Sequence, residues 1–145
     1  MKTAIYTITS PLHDEQSVNQ VSSAFLSEIE NAMEIVFDFR GSDFSAYGTD
    51  ALDIIFVRTG GTEGIFKELL PALEGRILLL TSGKSNSLAA SLEILSYLRK
   101  QGRSGEVIHG STAYIASRIR NLTKVEKARK ALNGYRLANI GKPSD

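Results

Sequence analysis

Three short stretches hold most of the residues in this chain that could do chemistry: RTGGTE at Arg58–Glu63, TSGKSNS at Thr81–Ser87 and HGS at His109–Ser111. Each follows an apolar run and leads into a helical pattern, which places it at the carboxyl end of an expected strand. Free N–H groups at a helix start favour negatively polarised atoms, and in open α/β sheets ligands bind beyond the carboxyl ends of the strands. The candidate substrate-binding set is therefore Arg58, Thr59, Gly60, Gly61, Thr62, Glu63, Ser82, Gly83, Lys84, Asn86, Ser87, His109, Gly110 and Ser111. No catalytic residue and no metal ligand is assigned, since no clustered set of histidine and carboxylates occurs.

Nucleotide phosphate is the first ligand to test. A Walker loop needs G-x-x-x-x-G-K-[ST], whose first glycine lets the backbone wrap around the phosphates. Gly83, Lys84 and Ser85 match its end, but the position five before Gly83 is Leu78, inside the strand. A dinucleotide fingerprint, G-x-G-x-x-G after the first strand, is absent, and Thr9–Ser17 reads TSPLHDEQS instead. A phosphoacceptor receiver domain would end its third strand in aspartate, where Arg58 and Thr59 stand, and a phosphocysteine carrier has no cysteine to use.

Several of these residues have an ordinary structural reading beside the functional one. His13, next to Asp14, reads as a surface residue where a helix begins. His109 is either a strand-end histidine bonded to backbone or a ligand contact. Asn86 and Thr62 suit helix N-caps, a role compatible with substrate contact, and Glu63 complements a helix dipole. Lys84 is either a solvated loop cation or one that meets a ligand or another subunit. Arg118, Arg120, Lys124, Lys127, Arg129 and Lys130 make the last long helix basic, but without interleaved aromatics they read as a solvated face and no nucleic-acid partner is expected.

Positioning those loops takes a regular scaffold. Strands are expected at Thr3–Ile8, Glu34–Phe39, Ile54–Val57, Arg76–Leu80, Glu106–Ile108 and Arg136–Ile140, with helical patterns between most of them. Val18, Val21, Phe25, Ile29 and Ala32 mark the buried stripe of the first helix, and Leu88, Leu92, Leu95 and Leu98 that of the helix in Asn86–Arg99. Arg40–Asp53 has no clear apolar period and reads as a loop or short irregular helix. Alternating strands and helices imply a three-layer, doubly wound α/β/α fold with a mainly parallel sheet of about five strands in flavodoxin-like order.

The 145 residues suit one domain. Lys and Arg total 17 against 16 Asp and Glu, so no global field draws nucleic acid or anionic lipid. The opening MKTAIYTITS alternates apolar with polar residues, unlike a signal peptide, and no run approaches a membrane span. With cysteine absent, a cytoplasmic location is expected, with no membrane partner.

The stretches TGGTEGIFKELLP and LLLTSGKSNSLAASLEILSYLR, with VIHG and the closing RLANIGKPSD, resemble the amino-terminal region of L-fucose isomerase and L-arabinose isomerase related proteins. The similarity runs from about Val57 to Asp145; one departure is Ala89, where relatives often have proline. The resemblance implies an excised amino-terminal domain of a longer multidomain protein, a substrate-closing and oligomerisation domain of a metal-dependent aldose–ketose isomerase that is inactive alone. It implies manganese or another divalent metal in the full-length protein, with none held by this chain, and a homo-oligomer in which neighbouring subunits share the sugar. Ser82, Gly83, Lys84, Asn86 and Ser87 would then hydrogen-bond sugar hydroxyls or the adjoining subunit. The competing expectation is a self-contained small-ligand or interaction module using the same three loops.

Overall fold

The computed structural model describes residues 2–49, 52–138 and 140–141. In chain order these form β1 (Thr3–Ile8), α1 (Glu15–Met33), β2 (Asp38–Gly41), β3 (Leu52–Val57), α2 (Glu63–Leu69), β4 (Ile77–Leu80), α3 (Ser87–Lys100), β5 (Gly105–Ile108) and α4 (Thr112–Leu132), with a 3₁₀ turn at Leu70–Ala72 after α2. All strand pairs are parallel, in the order β2-β1-β3-β4-β5. This is the flavodoxin-like order, and the sheet is wholly rather than mainly parallel.

The strands are near-continuous apolar runs because both faces of the sheet are covered. Ile5, Ile54, Phe56, Leu78, Leu80 and Ile108 pack with Leu26, Ile29 and Met33 of α1 and Ile115, Ile119 and Leu122 of α4. Their neighbours along the strands, Tyr6, Ile8, Ile55, Val57, Ile77 and Leu79, pack on the other face with Phe66 of α2 and Ala90, Ile94 and Leu98 of α3. Each such fully buried side chain contributes about 1.5–3 kcal/mol relative to exposure. On the second face one covering layer is not a helix. The connection from β2 to β3 contains turns, and its Phe44 and Tyr47 rings sit 4.9 and 5.3 Å from the ring of Tyr6.

Several sequence expectations shift. The second strand is Asp38–Gly41 rather than Glu34–Phe39. Glu34 ends α1 in a left-handed conformation (φ 57°), and the Glu30 carboxylate accepts the Phe37 N–H at 2.7 Å, so the chain is still turning where the apolar run begins. The buried stripe of α1 is Val18, Ser22, Leu26, Ile29 and Met33, leaving Val21 exposed and Phe25 half-buried. In α3 the buried face is Ser87, Ala90, Ser91, Ile94 and Leu98, while Leu92 is exposed. Small residues there let the helix approach the sheet closely, which a count of leucines misses.

The expected last strand at Arg136–Ile140 is not formed over its described residues. Leu137 and Ile140 are 99% and 96% exposed, and Asn139 lies outside the described residues, as does the end of the chain beyond Gly141. No helix among the described residues is long and apolar enough to cross a membrane.

Candidate functional site

The carboxyl ends of β1, β3, β4 and β5 bring the three candidate loops, together with Thr9–Asp14, onto one rim of the sheet. The loops are tied to one another before they offer anything to a ligand. The Thr59 hydroxyl accepts the Ser10 N–H at 2.9 Å, joining the ends of β1 and β3, and Gly60 N–H donates to the Ser85 carbonyl at 2.7 Å, joining the ends of β3 and β4. The Thr81 hydroxyl donates to Ser87 Oγ at 2.7 Å and accepts the Gly83 N–H at 3.0 Å. His109 Nδ1 lies 3.1 Å from the Thr81 carbonyl, joining β5 to β4. A carbonyl only accepts, so Nδ1 carries the proton in this bond.

The glycines serve that interlock. A Cβ on Gly60 would lie 3.0 Å from Asn86 Cβ, and one on Gly83 would lie 2.8 Å from His109 Cε1. Gly83 also has φ +78°, a left-handed conformation that costs little only without a side chain. Gly83 of the Gly-Lys-Ser stretch thus packs its backbone against the His109 imidazole.

The candidate residues divide accordingly. Thr59, Thr62 and Ser87 are fully buried and bonded within the scaffold. Thr62 and Asn86 occupy N-cap positions, but neither side chain caps its helix; Thr62 donates to the Thr59 carbonyl instead. Glu63 lies in the first turn of α2, and Ser111 caps α4 by accepting the Tyr114 N–H. Gly60 and His109 are half-buried, and Gly61 and Gly110 are exposed. Gly83, Lys84, Ser85 and Asn86 stand in solvent with Ser82 half-exposed beside them. Ser85 and Asn86 both hold positive φ, 53° and 59°; the left-handed region costs roughly 1–2 kcal/mol for Ser85, while asparagine enters it readily.

Lys84, Ser82 and Ser85 share a cleft of about 270 Å³ with His13, Asp14, Ser17 and Arg58. Asp14 caps α1, and hydrogen bonds from the Ser17 hydroxyl and amide hold its carboxyl below the usual carboxylate value. Of the basic residues on the last helix, Arg118 pairs with Glu106, Arg129 pairs with Glu126, and Arg120 donates to the Ala32 carbonyl.

Arg58 is placed differently from every other candidate. Only 7% of its side chain is exposed; Nε donates to Thr9 Oγ1 at 2.7 Å, Nη1 to Asn19 Oδ1 at 2.6 Å, and Nη2 to Glu15 Oε1 at 2.9 Å. Glu15 and Asn19, missed from the sequence, had one legible signal: a polar pair four residues apart in the first turns of the helix after β1, where a doubly wound fold aims it at the end of the next strand inward.

The fold and rim define an α/β protein with flavodoxin-like strand order and interlocked carboxyl-end loops. Comparison with family models, curated proteins and solved structures gave no match.

Proposed function

We propose that these residues form the substrate-closing and assembly domain of a metal-dependent aldose–ketose isomerase, incomplete for catalysis by itself. The reading rests on the resemblance of the Val57–Asp145 stretches, and one structural observation carries it. The β4–α3 loop holds Ser85 and Asn86 at positive φ, strained at Ser85, and stands out from a rim whose other polar groups are largely bonded inward. The Ser82 hydroxyl, the Lys84 ammonium and the Asn86 amide are then available to donate to sugar hydroxyls or to a neighbouring subunit, with the start of α3 behind them.

In such an isomerase a divalent metal polarises the sugar oxygens while a carboxylate moves the proton. No three His, Asp or Glu side chains converge to hold a metal among the described residues. In this reading the chain's own contribution is to orient substrate and exclude water.

The test is to sequence the native transcript past the codon for Asp145 and assay the encoded protein. A frame continuing into several hundred residues, whose product converts an aldose with manganese and loses much of that turnover in Lys84→Ala, supports the reading. Full turnover by the 145 residues alone, or a stop codon directly after Asp145, overturns it. A second reading, a self-contained small-ligand module, is favoured by a cleft of about 270 Å³ completed within one chain. Calorimetry against pentoses, deoxyhexoses and nucleotides separates the two, since tight nucleotide binding by the chain favours the module.

A further inference from the structure

Among the described residues, Arg58 alone lines two clefts, and the larger, of about 520 Å³, includes none of Thr81–Ser87 or His109–Ser111. It opens beyond the carboxyl ends of β1 and β2. The order β2-β1-β3 makes β1 and β3 the pair at which the connections reverse direction, and Arg58 N–H donates to the Ile8 carbonyl at that junction. Open parallel sheets take their ligands at such a junction, and the cleft borders it through Ile8, Thr9 and Arg58. The cause of the cleft is local: the described residues between β2 and β3 form turns, and α2 is only seven residues long, so among the described residues no helix fills the space beside Phe44.

Its walls have two characters. Phe39, Phe44, Ile65 and Leu69 give an apolar side, with Phe39 58% exposed at the mouth. Arg58, Glu15 and Asn19 give a polar side of three planar groups already held in register by their mutual hydrogen bonds. Three of the five guanidinium N–H donors are engaged, and the other two have no partner among the described residues. Among the described residues the lining includes two charged ones, Arg58 and Glu15, and they pair with each other at 2.9 Å.

We infer that this cleft binds a neutral, ring-sized small molecule with one apolar face and an edge of hydrogen-bonding groups. The ring lies against Phe39 and Phe44, and its polar edge meets the planar Arg58–Asn19–Glu15 set, which can donate to and accept from adjacent atoms of one edge. A phosphate or carboxylate would face the Glu15 carboxylate, and an ammonium would face Arg58, so the paired charges select against both. A hydroxylated pyranose ring and a nucleobase share this chemistry. The inference goes beyond the isomerase reading, because the cleft is complete in one chain and omits Ser82, Lys84 and Asn86.

The experiment titrates the ¹⁵N-labelled 145-residue chain, whose described residues form both faces of a buried core, with methyl pyranosides, with adenosine and uridine, and with inorganic phosphate. Amide shifts at Thr7–Thr9 and Phe39–Phe44 that saturate near a millimolar Kd are expected for one neutral class, and which class saturates identifies the source. Asn19→Ala and Phe39→Ser, both at exposed positions, are each expected to weaken that binding about fivefold with the fold intact. Phosphate shifting these amides as strongly as the neutral probes, or no saturable shift there with any probe, overturns the inference. Shifts at Ser82–Ser87 report on the isomerase reading instead, so the two fail separately.

Discussion

On one side of Arg58 the rim loops interlock and leave the smaller cleft, and on the other side the larger cleft opens. From β3 to β5, glycines let loops touch: a methyl group on Gly83 would collide with His109, and one on Gly60 would press on Asn86. From β1 to β2, a cleft of about 520 Å³ stands where turns replace a helix. The glycines at the ends of β3 and β4 therefore mark close packing in this protein, while the 520 Å³ cleft opens on the β1–β2 side of Arg58.

Breaking the interlocked side should have the largest effect. Gly83→Ala forces a side chain into a left-handed position and displaces the His109 ring from the Thr81 carbonyl, an expected loss of about 2 kcal/mol in urea unfolding. Gly48→Ala shares the positive φ (+83°) but meets nothing within 4 Å, so it should lose about 1 kcal/mol. Equal losses in the two would remove the interlock from the explanation.

On the open side, Arg58→Leu deletes three hydrogen bonds, but Glu15 and Asn19 are exposed and recover water. A loss of about 1.5 kcal/mol is expected by the same measurement. A loss well above that for Gly83→Ala would reverse the ranking of the two sides.

Acid should separate the sides further. Glu106 on β5 accepts from Arg118, and that hydrogen bond, with the charges of Arg118 and Arg76, holds its carboxyl below the ordinary 4.5. A depressed folded value stabilises the protein fully above the unfolded value, and the contribution fades as pH falls through the folded one. Hydrogen-exchange protection of β5 should thus drop on acidification below about 4.5 more steeply than that of β2, and Glu106→Gln should abolish the excess. The smallest effect is a gain. Ser85→Gly relieves a left-handed position and should raise stability by about 0.5 kcal/mol, part of the relief being offset by the freer unfolded chain; a loss in thermal unfolding would show that Ser85 is not strained.

The fold was legible wherever burial on both faces made apolar runs continuous, as in Ile54–Val57 and Ile77–Leu80. It was misread where local capping overrode propensity. Ile35, Val36 and Phe37 look like the heart of a strand, yet the turn closed by Glu34 and Glu30 leaves Val36 85% exposed and sends pairing on to Asp38. Arg136–Ile140 has strand composition without a pairing partner among the described residues, and composition cannot supply one. The candidate loops were correctly placed at the ends of β3, β4 and β5, but which of their hydroxyls turn inward depends on contacts across strands, such as Thr59 to Ser10, 49 residues apart. Glu15, Asn19, Phe39 and Phe44 form a cleft only through tertiary placement, and only the polar pair had a local signal.

The position of β2 at the edge of the sheet also has a dynamic consequence. β2 is four residues long, pairs with β1 alone, and slips register between Ile5 and Tyr6. A strand held on one edge by so few bonds detaches in excursions that leave the rest of the sheet intact. Since Phe39 and Gly41 belong to both that strand and the cleft wall, anything bound there acts as a latch, and slower amide exchange along Asp38–Gly41 would register its occupancy even for a weak ligand.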